Sequence, residues 1–339
     1  MMATQALNGK AFEYALATQY AACVKARGLA VEVTEDAAYA FAKKSYLALG
    51  AAERRAFDAA AMGSAETLLA LEPGLRTQKS PDDKLAIRLA ADAEGMQGDV
   101  RDVIFSRKDA QGRTAWETGI SAKNNHEAVK HARLSPSIDF GQEWIGHPCS
   151  SGYFAAAEDI FARVKAELAL NPQATWEGLG ERKERDIYMP LLEIFRDELL
   201  RLNTVHASDV PPQLLIYLIG RKPFYKVIKQ DRQDLVIVKA FNLGGRLNQP
   251  YNGAKPRVSC EKLPLPSRII EFTFKTDSLN TLNMVMDKGW QVSFRIHNAN
   301  AKLELSLKFD IQLVGNPSNI FTHYAFLAEA GGVRDRALV

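Results

Sequence analysis

The stretch from Gly98 to Lys123, GDVRDVIFSRKDAQGRTAWETGISAK, decides the fold that the sequence predicts. A β-prone run begins at Val103, a polar turn containing Gly112 follows it, and a second extended segment runs to Lys123. In the second segment the side chains alternate between two faces with the period of two that is typical of a strand. The stretch therefore predicts a β-hairpin.

Charged side chains occupy particular positions in this hairpin. Asp99 and Asp102 precede the first strand, whereas Glu117, Ser121 and Lys123 share one face of the second strand. Carboxylate oxygens are the ligands that Mg²⁺ prefers, and a nearby lysine can stabilise the charge that develops during phosphodiester hydrolysis. This placement resembles the arrangement of the PD-(D/E)XK nucleases, in which an aspartate begins one strand and a carboxylate-x-lysine ends the next. A capped hairpin with solvated charges is the alternative interpretation.

The spacing between Glu117 and Lys123 conflicts with a simple catalytic triad. Strand residues advance by about 3.3 Å, so these two residues would lie about 20 Å apart on a straight strand. A bulge at Gly119 would bring them closer together. Ser121, two positions before the lysine, cannot replace an anionic ligand.

The sequence therefore does not decide which carboxylates bind the metal. Asp102 is the first choice, because it directly precedes the first strand, and Asp99 is the reserve. Glu117 is a conditional second ligand, and Glu13 on the first predicted helix is a substitute for it. Lys123 is the residue expected to stabilise charge or to position the attacking water.

The rest of the chain predicts helices before the hairpin and strands far beyond it. Residues 1–90 are alanine-rich with helical periodicity, and the segments 124–134, 153–170 and 186–202 are also predicted helices. After residue 205 the chain is rich in strand signals, most clearly in 290–297 and 303–313, which alternate strictly.

The predicted fold class is α/β (α+β), with a helical N-terminal region, a mixed-sheet nuclease core and a β-rich C-terminal region. We expect residues 1–205 to form the helical region and the core, residues 206–325 to form a basic DNA-recognition region, and residues 326–339 to form a tail. The formal net charge is only +3, but residues 213–309 carry 16 Lys and Arg against 7 Asp and Glu. Clustered positive charge is typical of a phosphate-backbone partner.

Composition excludes several other classes of protein. No apolar stretch approaches the roughly 20 residues that span a bilayer, and the N-terminus lacks the features of a signal peptide. The three cysteines are far apart in the sequence and do not form metal-type pairs. We therefore expect a cytoplasmic protein with reduced, structural thiols and no membrane partner.

Several long segments resemble the HaeIII-type restriction endonuclease family over most of the chain, from about Gly9 to Pro317. They are GDVRDVI (98–104), WETGISAKNNH (116–126), AVKHARLS (128–135), DFG (139–141), PCS (148–150) and GWQVSFRIHNA (289–299). The resemblance implies Mg²⁺-dependent cleavage of double-stranded DNA at GGCC by a PD-(D/E)XK-type core. It also implies a functional pairing with a DNA methyltransferase.

Reading G·C pairs in the major groove needs Arg or Lys donors to guanine and acceptors for the cytosine amino group. The outward face of the strand at 290–297 offers such chemistry, although a solvated strand face is the alternative. The residues we expect to contact DNA are Gln291, Ser293, Arg295, His297 and Asn298, with Lys130 and Arg133 on phosphates, and Ser121 and Asn125 beside the predicted site.

Two rival functions remain open at the level of sequence. A repair-type or modification-dependent nuclease would share the same core, and a non-catalytic DNA-binding regulator would share the basic surface. A palindromic site suits a two-fold dimer, but a monomer acting twice would leave the same sequence pattern.

Overall fold

The chain divides into two compact units, each assembled from separate stretches of sequence. Unit 1 contains residues 1–127, 221–263 and 319–339, and unit 2 contains residues 128–220 and 264–318. The structure is a computed structural model that describes residues 2–80, 82–91, 98–125, 129–130 and 132–326. The division predicted from the sequence, into a nuclease core up to residue 205 and a DNA-recognition region after it, is a division by function and stays a prediction.

The helices of unit 1 come from the alanine-rich N-terminal sequence. They are α1 (Met2–Lys25), α2 (Ala37–Leu47), α3 (Ala51–Leu71) and the short α4 (Pro73–Arg76). Helix α2 begins after Asp36, whose carboxylate accepts a hydrogen bond from the backbone N–H of Tyr39 at 3.0 Å. Helix α3 ends before Pro73, which cannot continue a helix without losing a backbone donor.

Unit 1 is built on a mixed seven-stranded sheet in the order β1-β2-β3-β4-β6-β7-β12. The strands β1 and β2 pair in parallel, as do β4 and β6, and the other neighbours are antiparallel. The strands are β1 (Val31–Val33), β2 (Leu85–Leu89), β3 (Val103–Lys108), β4 (Thr114–Asn124), β6 (Phe224–Gln230), β7 (Leu235–Phe241) and β12 (Thr322–Phe326). The predicted hairpin is β3–β4, and it is confirmed.

In the apolar core of unit 1, α1 packs against both α3 and the hairpin. Phe12 stacks on Phe57 of α3 with ring centroids 5.3 Å apart, and Tyr20 packs on Phe105 of β3 at 5.0 Å. All these rings are buried, and full burial of an aromatic side chain stabilises a fold by about 1.5–3 kcal/mol. This packing fixes which residues of α1 lie beside the start of β3.

Unit 2 combines helices with an antiparallel five-stranded sheet in the order β5-β11-β10-β9-β8. Phe195 lies at the centre of its aromatic core, 5.2 Å from Phe309 and 4.9 Å from Phe140. The helices are α5 (Ser151–Leu170), α6 (Met189–Val205) and α7 (Val210–Ile219), with π-helical turns at Gly141–Ile145 and Lys183–Tyr188. The strands are β5 (Arg133–Leu134), β8 (Ile269–Phe274), β9 (Thr281–Met286), β10 (Gln291–His297) and β11 (Leu307–Gly315).

The predicted fold class is confirmed: a helical N-terminal region, a mixed sheet and a β-rich C-terminal part. The two alternating segments contain β10 and most of β11, which pair antiparallel with Phe294 opposite Ile311, although β11 begins at Leu307 and not at the predicted Leu303. The helix predicted at 124–134 is wrong for the described residues. Arg133–Leu134 instead forms β5, because pairing with β11 satisfies the backbone groups, as in the bond from Phe309 N to Ala132 O at 2.8 Å.

Composition led to two expectations, one about the cysteines and one about membrane-spanning segments. All three cysteines are free of disulfide bonds, and Cys149 and Cys260 are buried, which agrees with the expected structural thiols. Within the described residues, no helix has both the length and the apolar character needed to cross a membrane.

The bulge considered at Gly119 is absent. The pairing of β3 with β4 runs in register past this residue, with Val103 opposite Ile120 and Ile104 opposite Gly119. The glycine has a different cause, because a Cβ there would lie 2.6 Å from Cδ of Arg101 and 2.9 Å from the carbonyl oxygen of Val103. Gly119 therefore makes room for the Arg101 side chain.

We predict that Gly119→Ala lowers the free energy of unfolding by about 1–3 kcal/mol, since the Cβ overlaps backbone as well as side-chain atoms. Urea denaturation of the purified proteins measures the change. Gly9→Ala is the matched control, because a Cβ at this position of α1 meets nothing within 4 Å, and alanine there should stabilise the helix by about 0.5–1 kcal/mol. Equal stabilities of Gly119→Ala and the wild type would show that Arg101 does not need this space.

Candidate active site

Asp102 is held at the start of β3 by the end of β4. Its Oδ2 accepts a hydrogen bond from the backbone N–H of Ala122 at 2.7 Å and from the hydroxyl of Ser121 at 3.3 Å. The Nζ of Lys123 lies 3.6 Å from the same oxygen. The hairpin register thus brings together the aspartate and the lysine that the sequence singled out.

Glu13 on α1 belongs to the same electrostatic neighbourhood. Its side chain is buried, and Lys10, one turn earlier, approaches its Oε2 at 3.1 Å. Burial raises the pKa of Glu13 from its ordinary 4.5 to about 8, and the nearby charge of Asp102 acts in the same direction, whereas Lys10 and Lys123 act in the opposite direction. The substitute carboxylate considered from the sequence therefore lies where Asp102 and Lys123 both act on it.

This donor set fits a hard divalent cation. Glu13 and Asp102 offer carboxylate oxygens, and Mg²⁺ is typically held by one or two carboxylates while waters and substrate phosphates complete its coordination. The described residues contain no cluster of three or more His, Cys, Asp or Glu side chains that could hold a metal by themselves. A metal at Glu13 and Asp102 would thus depend on water and substrate for its remaining ligands.

The other two predicted metal ligands, Asp99 and Glu117, meet at a different cluster. Arg101 binds Asp99 in a bidentate ion pair at 2.6 and 2.7 Å and reaches Glu117 at 2.9 Å. Lys222 lies 3.1 Å from Asp99 and 3.6 Å from Glu117. Burial alone would raise the pKa of Asp99, but its bonds to Arg101 and Lys222 outweigh that effect and lower it. Two cations thus balance these two acids.

Two residues predicted to contact DNA in unit 1 already have partners within the protein. Ser121 is buried and donates to Asp102. The side-chain amide of Asn125 donates to the carboxylate of Asp231, and its oxygen accepts from the backbone N–H of Asp231 at 2.8 Å. These contacts fix the turn after β4, where Asn125 has a positive φ of 63°. Their roles toward DNA stay predictions.

The residues predicted to contact DNA in unit 2 lie along β10 and near β5. Gln291 and Arg295 are exposed and Ser293 and His297 are half-buried, all on the side of β10 that faces away from Phe294. The side-chain oxygen of Asn298 accepts from the hydroxyl of Tyr188 at 3.1 Å, and its amide donates to Asn300 O at 2.7 Å. The strand geometry confirms the outward register, and recognition of bases stays a prediction.

The two basic residues near β5 have aromatic or polar neighbours in unit 2. The Nζ of Lys130 lies 3.7 Å from the centroid of the Tyr217 ring. A guanidinium nitrogen of Arg133 donates to the hydroxyl of Ser306 at 2.7 Å and lies 3.7 Å from a carboxylate oxygen of Glu304. Their expected contacts with phosphates stay predictions.

Sequence reasoning missed three basic residues at these sites, which are Lys10, Arg101 and Lys222. Lys10 lies three residues before Glu13, so the two share one helix face, and that spacing was available as a signal. Arg101 lies between the two aspartates, and no local pattern shows that its side chain turns back over Gly119 to reach Glu117.

We predict that Glu13→Gln stabilises the protein in buffer containing EDTA. In the unfolded chain Glu13 ionises near 4.5, but in the folded protein it ionises near 8, so its contribution to stability falls as pH rises through this window. Glutamine cannot ionise, so the variant should exceed the wild type by about 2–4 kcal/mol at about pH 8.5 and match it at about pH 4.5. Urea denaturation across this pH range checks the prediction, and a difference independent of pH would contradict it.

Comparison with known proteins agrees with the resemblance seen in the sequence. Residues 9–317 match the family model described as HaeIII restriction endonuclease. The chain is 36% identical over 313 residues to the type II restriction enzyme HaeIII of Haemophilus aegyptius, covering 92% of this chain and 95% of that protein. No solved structure matches significantly. The chain therefore belongs to the HaeIII restriction endonuclease family, a family of site-specific DNA nucleases.

Proposed function

We propose that this protein is a type II restriction endonuclease that hydrolyses double-stranded DNA at GGCC with Mg²⁺. The observation that carries the proposal is the convergence of Asp102, Lys123 and Glu13 in a chain that matches the family over nearly its full length. The 36% identity to a type II restriction enzyme supports site-specific cleavage of DNA, and the GGCC target is what the resemblance to the family implies. The family assignment favours this function over a non-catalytic regulator.

Asp102 and Glu13 would hold the metal. When bound, Mg²⁺ would supply charge neutralisation at phosphorus and lower the pKa of the attacking water. The hydrogen bonds from Ala122 N–H and the Ser121 hydroxyl to Oδ2 hold the Asp102 carboxylate in one orientation, so it is oriented before a metal binds. Glu13 must give up its proton to act as a ligand, because a metal displaces protons from its ligands.

Lys123 would act on the phosphate. Its ammonium lies 3.6 Å from Asp102 Oδ2, so a phosphate oxygen bound next to the aspartate lies within reach of the same cation. There it can stabilise the charge that develops in the transition state or orient the attacking water. Lys10 would keep Glu13 oriented, since its Nζ already lies 3.1 Å from Glu13 Oε2.

The departure from the PD-(D/E)XK pattern has a physical explanation in this proposal. The position two before Lys123 is Ser121, which binds Asp102 and provides no charge. The second carboxylate comes from α1 as Glu13, not from β4. Glu117 instead pairs with Arg101 and Lys222, and Asp99 does the same, so we propose a structural role for both acids.

Recognition of the target would come from the basic region at 206–325. Arg295, exposed on β10, has the donor geometry that reads guanine O6 and N7, and Gln291 and His297 lie on the same side of the strand. Lys130 and Arg133 would contact phosphates, which position a protein on DNA without reading its sequence. The protein would act in the cytoplasm, where a cognate methyltransferase would protect host GGCC sites. A homodimer, or a monomer acting twice, would cleave both strands.

We predict that the purified protein, given Mg²⁺ and a plasmid of known sequence, cuts both strands at every GGCC site and nowhere else. Sequencing the ends of the fragments measures the target. Methylation of the GGCC sites before digestion should abolish cutting, because a restriction enzyme must spare the modified host DNA. Cutting that requires methylation or lesions would support the modification-dependent or repair-type rival, and binding without any product would support a regulator.

Matched variants tie this activity to the proposed site. Asp102→Asn, Glu13→Gln and Lys123→Met should each lower the cleavage rate by more than about a hundredfold, as expected for groups that stabilise the transition state. Glu117→Gln is the control, since it removes a carboxylate from the same strand face outside the proposed site, and it should keep cleavage within about tenfold of the wild type. Loss of activity in Glu117→Gln with retention in Glu13→Gln would reverse the assignment of the second carboxylate.

A further inference from the structure

The segment 242–263 of unit 1 is fixed to the helices by side-chain amides. The Asn248 amide donates to Leu71 O at 2.7 Å and to Val258 O at 2.9 Å, and its oxygen accepts from Cys260 N at 2.8 Å. Asn252, with φ of 48°, lies in a tight turn and donates to Gln78 O at 3.0 Å. The segment is therefore a fixed platform and not a loose loop.

This platform holds cations close together. A guanidinium nitrogen of Arg76, at the end of α4, donates to the backbone oxygen of Lys255. Arg257, two residues further on, is pinned by the bond from its own backbone N–H to Ala70 O at 2.9 Å. Burial lowers the pKa of Arg76, and the charge of Arg257 lowers it further. The charge of Arg257 thus acts on the Arg76 guanidinium, and hydrogen bonds hold the backbone of Lys255 and Arg257 beside the end of α4.

No carboxylate of the described residues forms an ion pair with these cations. Arg76 donates to a neutral carbonyl oxygen, and its buried Nε has no acceptor within the described part of the chain. Lys255 and Arg257 are exposed. The acidic residue of the segment, Glu261, accepts from the amide of Asn319 at 3.0 Å.

We propose that Arg76, Lys255 and Arg257 form a clamp for a backbone phosphate of duplex DNA. The choice of duplex DNA as the ligand rests on the proposed function. The inference adds DNA-contacting residues in unit 1 to those predicted in unit 2. A phosphate is a suitable anion because it offers several oxygen acceptors to adjacent guanidinium groups and relieves their repulsion. Exposed Lys79 and Arg246 extend the positive charge of the platform and its surroundings.

A phosphate clamp makes a specific prediction about salt dependence. Each phosphate that the protein neutralises releases counterions, so the slope of log K against log salt becomes shallower by about 0.9 for each phosphate left without its cation. Lys255→Gln combined with Arg257→Gln should therefore reduce the slope by up to about 0.9, because the two cations share one phosphate with Arg76. The affinity should fall equally for a GGCC duplex and a scrambled duplex, because phosphate contacts carry no sequence information.

The experiment measures binding of both duplexes in EDTA by fluorescence anisotropy, between about 50 and 200 mM salt. The two exposed substitutions leave the backbone bonds of the platform in place, and thermal denaturation confirms that the variant is folded. Lys43→Gln combined with Lys44→Gln is the matched control, since it removes two exposed lysines from α2. The control should keep the wild-type slope.

The outcomes separate this inference from the proposed function. A wild type that cleaves GGCC, together with an unchanged slope in the Lys255→Gln, Arg257→Gln protein, would overturn the clamp alone. A reduced slope in that protein without any cleavage by the wild type would support the clamp and overturn the proposed function. An equally reduced slope in the α2 control would also contradict a localised clamp, and a wild type that does not bind DNA would overturn both.

Discussion

The candidate site depends on one hydrogen bond, from the backbone N–H of Ala122 to the carboxylate of Asp102 at 2.7 Å. It joins the start of β3 to the end of β4, and the register that places Val103 opposite Ile120 makes it possible. A hydrogen bond to a charged group contributes about 1.5–3 kcal/mol, so the hairpin is stabilised and the aspartate is oriented by the same contact. Lys123, the next residue, then faces that carboxylate from β4.

Helix α1 brings a buried carboxyl group to the candidate site at a cost to stability. The packing of Tyr20 on Phe105 holds α1 against β3, and this docking places Glu13 in a buried position near Asp102. A buried carboxylate near a second one disfavours the charged form, which is the reason for its raised pKa. A carboxyl group whose pKa is raised in this way is typical of functional sites, whereas the ion pair with Arg101 lowers the pKa of Asp99.

Much of the fold was predictable because it depends on local periodicity. The alternation in β10 and β11 and the charged hairpin at β3–β4 both follow from the period of two, and the structure confirms them. The short β5 was not predictable, since its two residues become a strand only by pairing with β11. Whether such a short segment forms a strand is decided by contacts with elements far away in the sequence, which local patterns do not show.

The same distinction applies to the candidate site. Asp102 and Lys123 could be brought together from hairpin register alone. The proximity of Glu13 depends on how α1 docks, and the pairing of Glu117 with Arg101 depends on the space left by Gly119. Neither contact has a local sequence signal, so the sequence alone leaves the second carboxylate ambiguous between Glu13 and Glu117.

Titration calorimetry of Mn²⁺ binding, with a GGCC duplex that carries a non-hydrolysable linkage at the scissile phosphate, tests most directly whether Glu13 and Asp102 form the metal site. Mn²⁺ takes the same hard oxygen ligands as Mg²⁺. The account predicts that Glu13→Gln and Asp102→Asn weaken Mn²⁺ binding by at least about tenfold, whereas Glu117→Gln leaves it nearly unchanged. Wild-type affinity in Glu13→Gln, with loss of binding in Glu117→Gln, would contradict it.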